Sequence, residues 1–361
     1  MNSSVAALGL SFLVCLFIAA VFFSSLVKNN FLRENHFSAA ISVCGTIILG
    51  LCPVIAVFWY PYDFINNFRL WQFLIPPATT ILIIAALFIR RPFAVAAAVL
   101  AAALISIFTA GFEIVLIPSI PLWANQLLAA LILSGFALGW RTLSGLNPLP
   151  QTQGISVCIG FLILYFLGSA PLVMGMCSAG IMAVLIIAYL YSKVQPVGLE
   201  ASPLLGFVIG WLGLISYNEY LFSCFVIFTT FYLLELVVSL ARKLTFLPRY
   251  KEIAYNGITL QAYSEGLPAY MVIRTIWNTN ILLIIFGLFQ IHANNNYSIP
   301  VFTALITSWQ LYRISNWQTA SQTLRETNQE LVKEVKKSFA RFFPSEEEKP
   351  QKDASDKQDK E

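Results

Sequence analysis

The chain has 361 residues, of which 58% are hydrophobic and 11% charged, with a formal net charge of +4. A soluble domain carries roughly a quarter charged residues, so most of this surface is not built for water, and so small a charge gives no ground for a nucleic-acid partner. Six cysteines (Cys15, Cys44, Cys52, Cys158, Cys177 and Cys224) lie in apolar runs, and His36 and His292 are the only histidines. That pattern argues against a disulfide framework or a zinc site and leaves the thiols as small packing groups.

In chain order, the first apolar run covers residues 5–27, with no basic residue before it. It is too long for a secretory signal and reads as a retained span. Further runs follow at 38–60, 70–89, 92–110, 123–143, 154–169, 172–192, 203–217, 220–241, 272–291 and 299–314. Each is near the length that crosses about 30 Å of hydrocarbon, though 203–217 is short. The expected fold is all-α, a polytopic membrane bundle of ten or eleven transmembrane helices. Between the fourth and fifth runs, residues 112–123 contain Pro118 and Pro121, which predict a short extended or hairpin segment.

The basic residues orient these spans. With the N-terminus outside, one side of the membrane receives Lys28, Arg33, Arg90, Arg91, Arg141, Lys193, Arg242, Lys243, Arg249, Lys251 and Arg274, and the other receives Arg69. Positive residues concentrate on the cytoplasmic side, so the C-terminal tail is expected in the cytoplasm and the protein in the plasma (inner) membrane. Past the last run, Ile314, Trp317, Ser321, Leu324, Asn328, Leu331, Val335 and Phe342 keep heptad spacing. This predicts a coiled coil over 314–342 that meets a second copy or a membrane-protein partner. A helix lying on anionic lipid through Lys333, Lys336, Lys337 and Arg341 is the other reading. The expected organisation is a membrane domain over 1–292, an additional span within 293–315, the helix over 316–343, and a disordered tail over 344–361.

No phosphate-cradling glycine loop, HExxH, CxxC or GxSxG motif is present. Before the tail, Asp63 is the one aspartate, and the charge pattern places it outside. Glu235 is the one carboxylate well inside a predicted span. It is either a functional group or a side chain reaching toward the cytoplasmic interface near Arg242.

The second half of the chain carries a resemblance. The stretch GLPAYMVIRTIWNTNILLIIFGL (266–288) resembles the GWPEPxVIVRFW segment and final helix of the phospho-N-acetylmuramoyl-pentapeptide transferase family. That family lies within the polyprenyl-phosphate sugar-1-phosphate transferases, glycosyltransferase family 4. Gly266, Pro268, Val272, Ile273 and Trp277 are retained. VGLEASPLLGFVIGWLG (197–213) resembles FMGDxGSLALGGxLG, with Gly198, Ser202, Leu205 and Gly206 retained. LLELVVSLARKL (233–244) resembles the VVETLSVILQ helix and sets Glu235 on the family's glutamate.

The departures fall on the family's chemistry. Its DGLDG loop falls on NPLPQ, so Asn147 and Pro150 stand at the two aspartates, and its GD aspartate falls on Leu199. The HHH motif falls on Thr259, Leu260 and Gln261, and the paired aspartates fall on Ile89 and Arg90. The resemblance implies that these groups hold Mg²⁺, activate the lipid phosphate and position a nucleotide sugar. Phosphoryl transfer depends mainly on charge stabilisation and positioning, so losing all of them implies a scaffold without the activity. The expectation is a catalytically degenerate homologue that binds membrane lipid, polyprenyl phosphate among them, or regulates a partner in cell-envelope synthesis, with no cofactor. Mg²⁺ enters only if the protein is a divergent active transferase using Glu200, Glu252 or Glu265. A transporter or lipid flippase is the third reading.

Overall fold

A computed structural model of the chain describes residues 2–28, 70–89, 92–110, 114, 118–143, 146, 148–192, 202–215, 219–245, 257–264, 266–292 and 298–316. Among them all regular structure is helical. The helices are α1 (Asn2–Lys28), α2 (Leu70–Ile89), α3 (Pro92–Ala110), α4 (Leu122–Gly139), α5 (Leu149–Phe166) and α6 (Leu172–Ser192). They continue with α7 (Ser202–Ile215), α8 (Glu219–Phe228), α9 (Thr230–Thr245), α10 (Ile258–Ser264), α11 (Ala269–His292) and α12 (Ser298–Ser315). A 3₁₀ turn, Trp140–Thr142, extends α4. By its contacts the chain divides into Met1–Ser315, which holds all these helices, and Asn316–Glu361. The predicted span at 38–60, the helix beyond residue 316 and the tail lie outside the described residues.

α3 shows why such sequences form buried helices. Pro92 occupies the first turn, where a missing N–H is tolerated. Val95, Val99, Ala102, Ala103 and Ile107 then recur at helical spacing and are buried. The opposite face stays apolar but outward, with Phe93 85% exposed. α1 behaves alike: Phe17 is 70% exposed and Leu13 61%. Outward apolar faces of this extent suit hydrocarbon rather than water. Five of the described helices are long and apolar enough to cross a membrane, and the bent pair α8–α9 makes a sixth when counted as one span.

Two helix groups meet on α7. The first is the hairpin α2–α3, with α4 against α3 and α7 against α4. Ile83, Val99, Ile107, Leu133, Phe207 and Trp211 belong to its continuous core. A hydroxyl pair ties the hairpin together inside that core, Thr79 Oγ1 and Ser106 Oγ being 2.7 Å apart. The second group runs α1–α6–α5–α11–α8, with α12 packed on α9, α10 and α11. Ser11 on α1 donates to the Met176 carbonyl of α6 at 3.1 Å. Small residues permit the close approaches, as is usual where helices pack without a hydrophobic drive between them. Between α5 and α6 the chain turns on Gly168, whose φ of +76° lies in the left-handed region. Its N–H bonds Tyr165 O, and the next N–H, of Ser169, bonds Leu164 O, which closes the helix end.

Candidate functional site

One polar feature of the interior is the break between α8 and α9. The two helices form one apolar stretch bent by 59° around Thr229. Thr229 and Thr230 turn their hydroxyls back onto the chain, donating to Phe225 O at 2.8 Å and Val226 O at 2.9 Å. Such back-bonding competes with the helical ladder and bends helices. Phe228, immediately before the break, lies against Gly160 of α5 and Gly287 of α11, where any added side chain would overlap its ring. Beyond the break, the Tyr232 hydroxyl donates to the Phe136 carbonyl of α4. Its ring contacts Phe136 and Trp140, with centroids 4.8 and 4.7 Å away. The bend is therefore fixed on two sides, by packing on α5 and α11 and by an aromatic anchor on α4.

α9 then carries Glu235 inward, fully buried. Its Oε1 accepts the Thr259 backbone N–H at 2.9 Å and the Thr259 hydroxyl at 2.7 Å. Thr259 is in the first turn of α10, where N–H groups lack helical partners. The glutamate thus does from a neighbouring helix what a capping side chain does locally. Gly257 precedes α10, and a β-carbon there would overlap the Glu235 carboxyl. The absence of a side chain at 257 is what lets the carboxyl reach the turn. Glu235 is the one carboxylate among the described side chains, and it is engaged in holding α10 on α9.

The residues singled out from sequence are distributed as follows. Thr259 and Glu235 are brought together, as just described. Pro150 is buried in the first turn of α5; the stretch read as a loop by resemblance is helical from Leu149 onward, because proline fits the first turn. Ile89 ends α2 with its side chain 60% exposed, so it faces outward where Pro150 and Thr259 face in. Gln261 is half-buried on α10, which also carries Leu260. Arg90, Asn147, Gly198, Leu199, Glu200, Glu252 and Glu265 lie outside the described residues. Among the positions that carry the resemblance, Ser202 begins α7 and is buried. Gly206 faces the Ala137 backbone and Trp140 so closely that a β-carbon would come within 2.7 Å of Trp140 Cβ and 2.9 Å of Ala137 Cα. Gly206→Ala is expected to push α7 off α4 and lower stability by about 1–3 kcal/mol, read as an earlier thermal unfolding transition in detergent. Gly266 takes a φ of +103°, which favours glycine, in the turn before Pro268 and α11. Trp277 is half-buried on α11.

No family model matches the chain, and no curated protein matches it in sequence. The chemistry of the described residues must therefore speak for itself. Among them no group of three or more His, Cys, Asp or Glu could hold a metal ion. At the described positions that the resemblance sets on charged motifs stand Ile89, Pro150, Thr259 bonded to Glu235, Leu260, and the neutral amide of Gln261. This does not fit Mg²⁺, which takes hard and largely anionic oxygen ligands.

The polar interior of α5 escaped the sequence reading. Gln151, Thr152, Gln153 and Ser156 are all buried, and Asn280 on α11 is buried beside them. Gln153 Nε2 donates to the Phe228 carbonyl at 3.0 Å, and Asn280 Nδ2 donates to Ser156 Oγ at 3.0 Å. The available signal was a run of three polar residues, Gln151 to Gln153, leading into an apolar helix. Gln151, buried with them, has no hydrogen-bond partner for either side-chain atom among the described residues.

Proposed function

We propose that this is a multi-pass inner-membrane protein built on a sugar-1-phosphate-transferase-like scaffold. On this reading it has ten or eleven spans, an outside N-terminus and a cytoplasmic tail. It does not transfer phospho-sugars; it binds a membrane lipid, polyprenyl phosphate among the candidates, or holds a partner protein of envelope synthesis. The heptad positions over 314–342 are the proposed docking element for that partner or for a second copy. The basic asymmetry across the predicted spans supports the orientation.

One observation carries the non-catalytic reading. Thr259, at the family's first motif histidine, spends its N–H and hydroxyl on Glu235. A carboxyl and a position that the resemblance ties to chemistry are thereby occupied in holding a short helix. The decisive experiment gives the purified full-length protein Mg²⁺, undecaprenyl phosphate and a panel of UDP-sugars. No UMP above the protein-free background is expected. Release of UMP that rises with protein concentration would replace this reading with that of a divergent active transferase.

A transporter is the second reading, and the broken span favours it. Discontinuous helices with polar side chains at mid-depth are where secondary transporters place their substrate sites. The break at Thr229, with Gln153 on the Phe228 carbonyl, has that character.

A further inference from the structure

We infer that a small hydrated site lies between α5, α11 and the α8–α9 break, and that it takes water as a bridging ligand. Gln153, Ser156 and Asn280 are each at most 1% exposed. Gln153 and Ser156 are three residues apart and so share one face of α5. Each carboxamide has a committed donor: Gln153 Nε2 on the Phe228 carbonyl, and Asn280 Nδ2 on Ser156 Oγ. Ser156 in turn donates to the Thr152 carbonyl at 2.8 Å, so its proton is committed too. What remains on each carboxamide is the carbonyl oxygen and the second N–H of the amide. Gln153 Oε1 and Asn280 Oδ1 have no hydrogen-bond partner among the described residues.

Turning either amide over does not remove the surplus. At Gln153 it would set an oxygen against the Phe228 carbonyl. At Asn280 it would draw the Ser156 proton off the Thr152 carbonyl and set the NH₂ group where nothing accepts from it. The ligand must therefore donate to these oxygens, and it can accept from the spare N–H groups. The surroundings are amides, hydroxyls and a backbone carbonyl without formal charge, so a cation would be buried uncompensated. Space is also short: Phe161 and Phe228 stand edge to face with centroids 5.7 Å apart, and Phe228 fills the gap between Gly160 and Gly287. A neutral molecule with two donors and the smallest volume is water, which bonds otherwise unsatisfied polar groups in protein interiors. The consequence is mechanical. Gln153 and its water hold the carbonyl at the bend, the bend sets the direction of α9, and α9 carries the Glu235 that holds α10.

The test uses the unmodified full-length chain in lipid bilayers, labelled with ¹⁵N in glutamine and asparagine side chains and in the backbone. Solid-state NMR then follows magnetisation transferred from water. The side-chain amides of Gln153 and Asn280, assigned through their own backbone signals, are expected to appear at short mixing times. The backbone amides of Leu283 and Ile284, buried on the same helix as Asn280, are expected to appear only at long ones. In Asn280→Leu the early Gln153 signal should weaken or vanish, since one of the two bridged oxygens is gone. Equally slow transfer to all four sites in the unmodified chain would overturn the inference. So would a shift of the two side-chain signals on exchanging sodium for choline, because that would place a cation where we place water.

Discussion

Replacing Glu235 with alanine is expected to lower the unfolding free energy by about 2–3 kcal/mol, because one buried carboxyl oxygen accepts two hydrogen bonds and both would be lost. The Thr259 N–H and hydroxyl would remain buried without their acceptor, which is the costlier half of the loss. Glu235→Gln keeps an oxygen at the same place and should stay within about 1 kcal/mol of the parent. Thr259→Val removes the hydroxyl and leaves the N–H, so it should fall between the two. Thermal unfolding of the purified protein in detergent reads all three. The ordering separates a structural glutamate from a chemical one. If Glu235 worked on a substrate, glutamine would be as damaging to activity as alanine while leaving the unfolding transition in place. If instead Glu235→Gln unfolds as early as Glu235→Ala, the carboxyl oxygen does not hold α10 through Thr259.

This pair also marks where the sequence stops being legible. Apolar run lengths place α2, α3 and α6 at the bounds the structure gives, because a long apolar run satisfies its own backbone polar groups most readily as helix. Gly206 is intelligible in the same way, as a close approach that excludes a side chain. The partner of Glu235 was not legible. Thr259 is 24 residues away across a connection with no periodicity, and no spacing rule reaches that far. Set against the family's motifs, Thr259 reads only as a missing histidine. In the structure it is the group that fixes the glutamate.

The break at Thr229 was hidden for a different reason. Residues 220–241 read as one continuous span, since threonine is tolerated within membrane helices and nothing nearby is glycine or proline. Two consecutive threonines returning hydroxyls to Phe225 and Val226 supply a bend that hydropathy does not register. The same blindness covered Gln151 to Gln153. Their polarity resembles a loop, yet they are buried in the first two turns of α5.

The largest single loss is expected at Phe228. It is 1% exposed and fills the space between two glycines on different helices, so Phe228→Ala leaves a cavity that neither α5 nor α11 can close from its own side. Large-to-small changes of this kind cost about 3–5 kcal/mol, and about half that is expected for Phe228→Leu, which keeps most of the volume. The glycines make the argument testable beyond a single number. A β-carbon at Gly160 would stand 2.6 Å from the Phe228 ring, and one at Gly287 would overlap it as well. Gly160→Ala and Gly287→Ala should therefore each destabilise the parent through overpacking, by about 1–3 kcal/mol. In the Phe228→Leu background the ring is gone and the added methyl has somewhere to go. Each double variant should then be more stable than the sum of its single losses predicts. Strict additivity at both glycines would mean that Phe228 does not sit between them, and the packing that holds the bent span would have to be redrawn.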